Sequence, residues 1–209
     1  MFTKPQPKTN KISSLKFYIG NIIIAAFLLI FVLINLKEFL ATANLGYLLV
    51  VINESVYVGL YLIRERAIAT STLAFDWTIA ITATFLGTLL RPAGSFSVFF
   101  GNSLITIGTV LNIASVFSLG KSISIVPAER SIKTSGVYQF VRHPMYSSGI
   151  LTIFGYLLAN FSLFNALIVI GNTVLLIIRL NREERFLSKN KFYREYVAKT
   201  RSKLLPFIY

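Results

Sequence analysis

Residues 17–36 read FYIGNIIIAAFLLIFVLINL, a run without a single charged side chain. A helix that crosses the hydrocarbon core of a bilayer needs about 20 mostly apolar residues. This run has that length. No small-residue cleavage site follows it, as one would follow a signal peptide. We therefore predict that it forms a retained transmembrane helix.

Apolar runs of similar length follow the first one. Residues 43–63, 73–90 and 96–119 each predict a further span, and a polar motif loop fills residues 120–146. The apolar stretch 147–178 is too long for one span and short for two. It therefore predicts a hairpin of two short or tilted helices that turns at its Asn-Phe-Ser sequence.

The composition agrees with a membrane protein. Hydrophobic residues make up 55% of the 209 residues and charged residues only 14%, whereas a soluble domain carries about 25% charge. The predicted fold is all-α and integral to the membrane: about four transmembrane helices, a cytoplasmic motif loop, a transmembrane helix-turn-helix hairpin and an interfacial C-terminal helix. We predict a polar N-terminal tail over 1–16, transmembrane helices over 17–119, and a functional region over 120–209.

The C-terminal helix is predicted over residues 179–196. Its apolar side chains can form one stripe surrounded by Arg and Lys, which is typical of a helix lying on a membrane surface. The stripe consists of Phe186, Leu187, Tyr193, Tyr196 and Val197.

Charge and residue counts exclude several functions. The net charge is +13, but the basic residues flank the apolar runs, which indicates lipid and cytoplasm rather than nucleic acid as their surroundings. The chain has no cysteine, which excludes disulfides, thiolate nucleophiles and cysteine metal sites. A single histidine, His143, argues against a protein-only zinc or haem site.

Loop charges predict the orientation. If the N-terminus is inside and every apolar segment crosses, all Lys and Arg residues except Lys37 and Arg91 fall on the inner side. This is a strong positive-inside pattern. It predicts that the motif loop and the C-terminal tail share the cytoplasmic face, where they can meet.

The polar sequence SIKTSGVYQFVRHPMY ends at Tyr146 and contains His143. Pro144 is suited to the first turn of a helix, whose free amides, with Arg142 and His143, would suit an anionic group. Tyr138 and Tyr146 add aromatic faces for a ring or a cation. The alternative is an interfacial belt of aromatic and basic residues. The composition does not decide between a ligand site and such a belt.

Further downstream, Glu183 follows Arg179 by four residues, so both lie on one helical face. They could form a two-sided clamp, with Glu183 for a cationic group and the planar Arg179 fork for a carboxylate. The alternative is an ordinary surface ion pair, worth about 0.3–0.5 kcal/mol.

Two acidic residues lie within the predicted spans, where acids are functional candidates. Asp76 is near a span end, so we expect it at the membrane interface. Glu54 is deeper, and either lines a substrate path or pairs with an Asn.

Together these elements resemble the isoprenylcysteine carboxyl methyltransferase family. The resemblance covers roughly residues 120–209. It is shared with phospholipid N-methyltransferases and, more loosely, with membrane sterol and steroid reductases that use NADPH. The matching elements are Thr134-Ser135-Gly136-Val137-Tyr138, Arg142-His143-Pro144-Met145-Tyr146, Arg179 with Glu183-Glu184 and Leu187, Tyr196, and the closing Leu205-Pro206-Phe207-Ile208.

The resemblance implies S-adenosyl-L-methionine as the cofactor and a lipidic or hydrophobic methyl acceptor. It implies that Arg179, as the catalytic residue, faces the acceptor. The chain departs from the family pattern at Ser148, where Gly is usual, and at Lys189-Asn190-Lys191, where a Phe-Gly pair is missing. The implied cofactor-binding residues are Arg130, Ser131, Ile132, Lys133, Tyr138, His143, Pro144, Met145, Tyr146 and Glu183.

The expected activity is methyl transfer to a carboxylate, such as that of an isoprenylcysteine, at the cytoplasmic membrane face. The expected partners are the lipid bilayer and a lipophilic or prenylated substrate. Two alternatives remain: an NADPH-dependent membrane reductase, and a non-catalytic membrane protein that keeps the fold. The reductase would require basic residues for the 2′-phosphate, and no dedicated cluster stands apart from the basic tail.

Overall fold

A computed structural model describes residues 11–43, 45–94 and 96–206. It is an all-α membrane protein, as predicted. The predicted tail up to residue 10, and residues 207 and 208 of the closing element, lie outside this part. The α-helices are α1 (Lys11–Thr42), α2 (Leu45–Ile63), α3 (Ala74–Phe85), α4 (Val98–Leu119), α5 (Pro144–Ala159), α6 (Leu163–Leu187) and α7 (Lys191–Lys199).

Four helices within the described residues are long and apolar enough to cross a membrane: α1, α2, α4 and α6. The third predicted span is shorter than expected, because α3 ends at Phe85 and continues only as a 3₁₀ turn, Leu86–Leu89. Such turns commonly end a helix, and the Arg91-Pro92 sequence prevents further extension.

The first helix begins earlier than predicted. Residues 11–16, which we assigned to the polar tail, already belong to α1, and the helix continues to Thr42. Pro5 and Pro7 are the helix breakers of the tail, and no proline follows them until residue 92. Nothing therefore interrupts the helix between Lys11 and the apolar run.

Short backbone pairings define two ends of the bundle. At one end, β1 (Ala69–Thr70) pairs antiparallel with β2 (Ala128–Glu129), which joins the α2–α3 loop to the motif loop. At the other end, Gly94 pairs with Phe161, which joins the α3–α4 loop to the turn of the hairpin. The helices therefore alternate in direction, as the predicted crossing order requires.

The predicted hairpin is present, but its arms are unequal. α5 ends at Ala159 and α6 begins at Leu163, on either side of the predicted turn. α5 is short, with 16 residues, whereas α6 has 25 residues and is long enough to cross a membrane. Within the predicted stretch, which ends at residue 178, both arms are short, and α6 is longer only because it continues to Leu187.

The C-terminal helix also differs from the prediction. Residues from Arg179 to Leu187 extend α6, and the separate helix α7 covers only Lys191–Lys199. Tyr193 and Tyr196 of the expected lipid-facing stripe are buried in the protein. The Asn190 side chain accepts a hydrogen bond from the Phe192 amide at 2.8 Å, which caps α7 as a separate helix.

Candidate functional site

The C-terminal segment lies along the motif loop. The amides of Arg142 and His143 donate to the carbonyls of Ser202 and Lys203, at 3.0 and 2.9 Å. The Ser147 hydroxyl donates to the Leu204 carbonyl at 2.6 Å. These contacts join segments about 60 residues apart, and they hold the C-terminal segment against the start of α5.

Glu184 is the centre of a buried network beneath this segment. Its carboxylate accepts two hydrogen bonds from Arg142, at 2.9 and 3.2 Å, and one from Tyr193 at 2.6 Å. The His143 Nε2 lies 2.7 Å from the same carboxylate. Burial and the hydrogen bond to Glu184 raise the pKa of Tyr193, so this tyrosine stays a neutral donor.

Arg142 and two of the first amides of α5, which we expected to suit an anionic ligand, form hydrogen bonds within the protein. Besides Glu184, the Arg142 Nη1 donates to the carbonyls of Thr200 and Arg201, at 2.7 and 2.6 Å. The amides of Tyr146 and Ser147 donate to the His143 carbonyl. These groups hold the fold together and are already satisfied.

The neighbouring carboxylate, Glu183, has different surroundings. It accepts a hydrogen bond from the Tyr146 hydroxyl at 2.6 Å. Arg179 donates to the Thr84 hydroxyl at 3.2 Å and to the Ile125 carbonyl, and its guanidinium lies 5.3 Å from the centre of the Tyr146 ring. Among the described residues these contacts replace the simple Arg179–Glu183 ion pair that was the alternative interpretation.

One cleft brings the predicted residues together. It encloses about 120 Å³, and its empty space including the open mouth is about 800 Å³. Closed pockets for drug-sized ligands measure roughly 300–1,000 Å³, so a ligand of that size would extend into the mouth. The predicted residues that line the cleft are Arg130, Ser131, Ile132, Lys133, Tyr138, His143, Met145, Tyr146, Arg179 and Glu183.

Pro144 is the exception among the predicted site residues. It is buried at the start of α5 and is not among the residues that line the cleft. Its ring begins the helix, as expected. Pro144 therefore supports the site by positioning α5 and not by contacting a ligand in the cleft. The functional roles of the other residues stay predictions.

Several cleft residues were not predicted. Tyr193 and Tyr196 were placed on the membrane surface, yet both line the cleft together with Leu119, Ser122 and Ser124. The Tyr196 hydroxyl donates to the Tyr138 carbonyl at 2.6 Å. The spacing of these two tyrosines is consistent with either face of the helix, and only Tyr196 had a signal in the sequence, as one of the elements that carry the resemblance.

Arg130 reaches the cleft from the motif loop. Its side chain is 8% exposed, and its Nε donates to the Glu65 carbonyl at 2.9 Å. Burial lowers the pKa of the Arg130 guanidinium to about 10, and the nearby charge of Arg64 acts in the same direction. The group therefore remains a cation at neutral pH, held in a largely dry environment.

The intramembrane acids have protein partners. Asp76 is buried in the first turn of α3, and Arg182 donates to it at 2.6 Å; its place at the membrane interface stays a prediction. Glu54 accepts a long hydrogen bond of 3.3 Å from Asn53, which agrees with the expected pairing to an Asn. Neither acid lines the cleft.

Comparison with known proteins supports part of the predicted identity. Residues 96–195 match the family model described as phospholipid methyltransferase. A search of curated proteins found no match. The matched region contains Tyr138, the Arg-His-Pro-Met-Tyr element ending at Tyr146, Arg179 and Glu183. The match therefore supports the broad group of membrane methyltransferases, of which the isoprenylcysteine enzymes are one narrower class.

Proposed function

We propose that this protein is an S-adenosylmethionine-dependent methyltransferase that acts on a lipidic or hydrophobic acceptor at the cytoplasmic membrane face. The acceptor group is a carboxylate, such as that of an isoprenylcysteine. The observation that carries the proposal is one cleft formed by the motif loop, the start of α5 and the end of α6. All three lie within the region similar to phospholipid methyltransferases.

The residues of the cleft fit the cofactor. Among the described residues, Glu183 accepts only the Tyr146 hydrogen bond, and a carboxylate has about four acceptor positions. It can therefore also bind hydroxyl or amine groups of the cofactor. Tyr138 lines the same cleft and offers an aromatic face to an adenine ring or a sulfonium. The Tyr146 ring already contacts the Arg179 guanidinium and the His143 ring, so Tyr146 acts through its hydroxyl on Glu183. When bound, the cofactor supplies an electrophilic methyl group.

The chain's own residues align and desolvate the reactants. Arg179 orients the acceptor carboxylate through its planar fork. Glu183 and Tyr138 would hold the cofactor, which would supply its methyl group to the acceptor oxygen and leave as a neutral thioether. A carboxylate needs no general base, so acceleration comes from alignment and exclusion of water. The engagement of His143 with Glu184 is compatible with this scheme.

Labelling of membranes tests the proposal. Membranes containing the full chain are incubated with methyl-labelled S-adenosylmethionine, and lipids are extracted. We expect label in the lipid fraction that mild base releases as methanol, because a methyl ester hydrolyses. Base-stable label would contradict the carboxylate acceptor and indicate an amine or a thiol. Absence of label from every lipid fraction would contradict the proposed methyltransferase activity.

Ligand-induced stabilisation separates the alternatives. Purified protein in detergent is heated with S-adenosylhomocysteine or with NADPH. We expect S-adenosylhomocysteine to raise Tm, because it binds only the folded cleft. A rise with NADPH alone would indicate a reductase, and no rise with either would indicate a non-catalytic protein.

A further inference from the structure

Two guanidinium groups of the cleft carry buried nitrogen atoms without a partner. They are Nη1 of Arg130 and Nε of Arg179, and neither forms a hydrogen bond with the described residues. Both side chains line the cleft. Buried donors are almost always satisfied in folded proteins, so two unsatisfied donors on side chains that line one cleft require an explanation.

The charge around these atoms is positive. Arg64, Arg130 and Arg179 all interact electrostatically with the buried hydroxyl of Tyr61. The ion pairs between described residues involve other cations: Arg142, His143, Arg182 and Lys191. Glu65 and Glu183 interact electrostatically with Arg130, but neither forms an ion pair with it among the described residues.

Both guanidinium groups are held in place by other contacts. Arg130 donates to the Glu65 carbonyl and directly follows β2, whose pairing with β1 anchors the loop. Arg179 donates to Thr84 and to the Ile125 carbonyl. These hydrogen bonds use some of the nitrogen atoms of each guanidinium group and fix its orientation. The remaining nitrogen atoms are therefore pre-oriented, which lowers the entropic cost of binding a ligand.

We infer that Arg130 and Arg179 together form an oxyanion site for the methyl acceptor, separate from the cofactor ligands. The ligand is a carboxylate or a phosphodiester carried by a lipid, since each presents two oxygen atoms to the two unsatisfied guanidinium donors. Arg130, which the resemblance assigned to the cofactor, is on this inference a specificity-determining residue for the acceptor. The inference rests on the proposed function.

Binding of matched lipid probes tests the site in the wild-type chain. The protein in zwitterionic nanodiscs is titrated with S-farnesyl-N-acetylcysteine, with its neutral methyl amide, and with a lysophospholipid that carries a phosphodiester. We expect at least one anionic probe to bind about tenfold or more tightly than the amide. Preference for the cysteine probe or for the lysophospholipid identifies the source of the oxyanion. Equal affinity for the amide and both anions overturns the inference.

Variants then assign the site to Arg130. Arg130→Gln should lower the affinity for the preferred anionic probe about tenfold. The affinities for the amide and for S-adenosylhomocysteine should stay unchanged. Arg66→Gln is the matched control, because Arg66 lies over the Phe17 and Tyr18 rings and outside the cleft. An equal loss of S-adenosylhomocysteine affinity would mean that the cofactor's own carboxylate occupies the site, which overturns the inference.

Two further measurements keep the outcomes distinct. Arg130→Lys keeps the charge but loses the fork, so an intermediate loss of probe affinity is expected even if the glutamine variant does not fold. An unchanged affinity in the lysine and glutamine variants would contradict the inference. Probe binding is measured with and without S-adenosylhomocysteine: if the wild type fails to bind S-adenosylhomocysteine, the proposed function fails, while anion selectivity still tests the arginine site.

Discussion

Glu183 and Glu184 are adjacent in sequence and differ in their surroundings. Successive helical residues point about 100° apart, so α6 directs one carboxylate into the cleft and the other into the packed interior. Glu184 forms hydrogen bonds with Arg142, His143 and Tyr193, whereas the side chain of Glu183 has a hydrogen bond only with Tyr146 among the described residues. The geometry separates a structural carboxylate from one that is available to a ligand.

Replacing Glu183 by Gln should reduce the affinity for S-adenosylhomocysteine at least about tenfold, because a charge-assisted hydrogen bond is lost. The Tyr146 hydroxyl can still donate to the amide oxygen, so Tm without ligand should change little. Titration calorimetry in detergent measures the affinity. Glu195→Gln is the control, since Glu195 is exposed on α7; unchanged affinity in Glu183→Gln would remove Glu183 from the cofactor site.

Replacing Glu184 by Ala should destabilise the fold by about 3 kcal/mol, because the buried Arg142 charge loses its counter-ion. The expected readout is a large fall in Tm without ligand. Limited proteolysis should also release the C-terminal segment, whose carbonyls bind the same Arg142. A Tm close to that of the wild type would contradict the structural role of this carboxylate.

At the scale of elements, close packing of α4 against α5 positions the start of α5 in the cleft. A Cβ atom added to Gly155 would lie 2.7 Å from the Gly101 carbonyl oxygen and 2.8 Å from the Ile105 amide. Backbone atoms cannot move aside as flexible side chains do. Small residues are what allow two membrane helices to approach this closely.

Gly155→Ala should therefore lower stability by about 1–3 kcal/mol through overpacking, even though Ala is favoured over Gly in a helix by about 1 kcal/mol. Gly149→Ala is the control, because Gly149 lies on the same helix with nothing within 4 Å of an added Cβ. It should leave stability unchanged or raise it. Thermal unfolding of both variants in one detergent measures the difference, and equal Tm values would contradict the close contact.

The length of α6 was mispredicted for a physical reason. A charged Arg179 ends the apolar run, so hydropathy places the end of the span there. The helix nevertheless continues to Leu187, because Arg, Glu and Leu all favour helix and the polar side chains find partners in the protein. This continuation brings Arg179 and Glu183 to the cleft on one rigid element.

At the scale of the molecule, alternating helices and biased loop charges predict which end faces the cytoplasm. The chain has no cysteine, so single-cysteine variants report one position each. Ala198, on α7, and Ala93, in the α3–α4 loop, are both exposed. They lie at the two opposite ends of the bundle.

In intact cells, a membrane-impermeant maleimide should label Ala93→Cys and not Ala198→Cys, because only the first position is predicted to face outward. After permeabilisation both should be labelled, and the unmodified chain should stay unlabelled throughout. Labelling of Ala198→Cys in intact cells would reverse the predicted orientation and contradict a cytoplasmic cleft.

The sequence by itself determined the membrane class, the approximate spans, the hairpin turn and the motif residues that meet in the cleft. Each of these follows from local information, because hydropathy and short motifs are properties of neighbouring residues. Only the tertiary structure decided that Glu184 is structural, that Arg142 is already satisfied, that Tyr193 turns inward and that Arg130 retains a buried donor. Those facts depend on partners about 10 to 65 residues away, which local patterns do not specify.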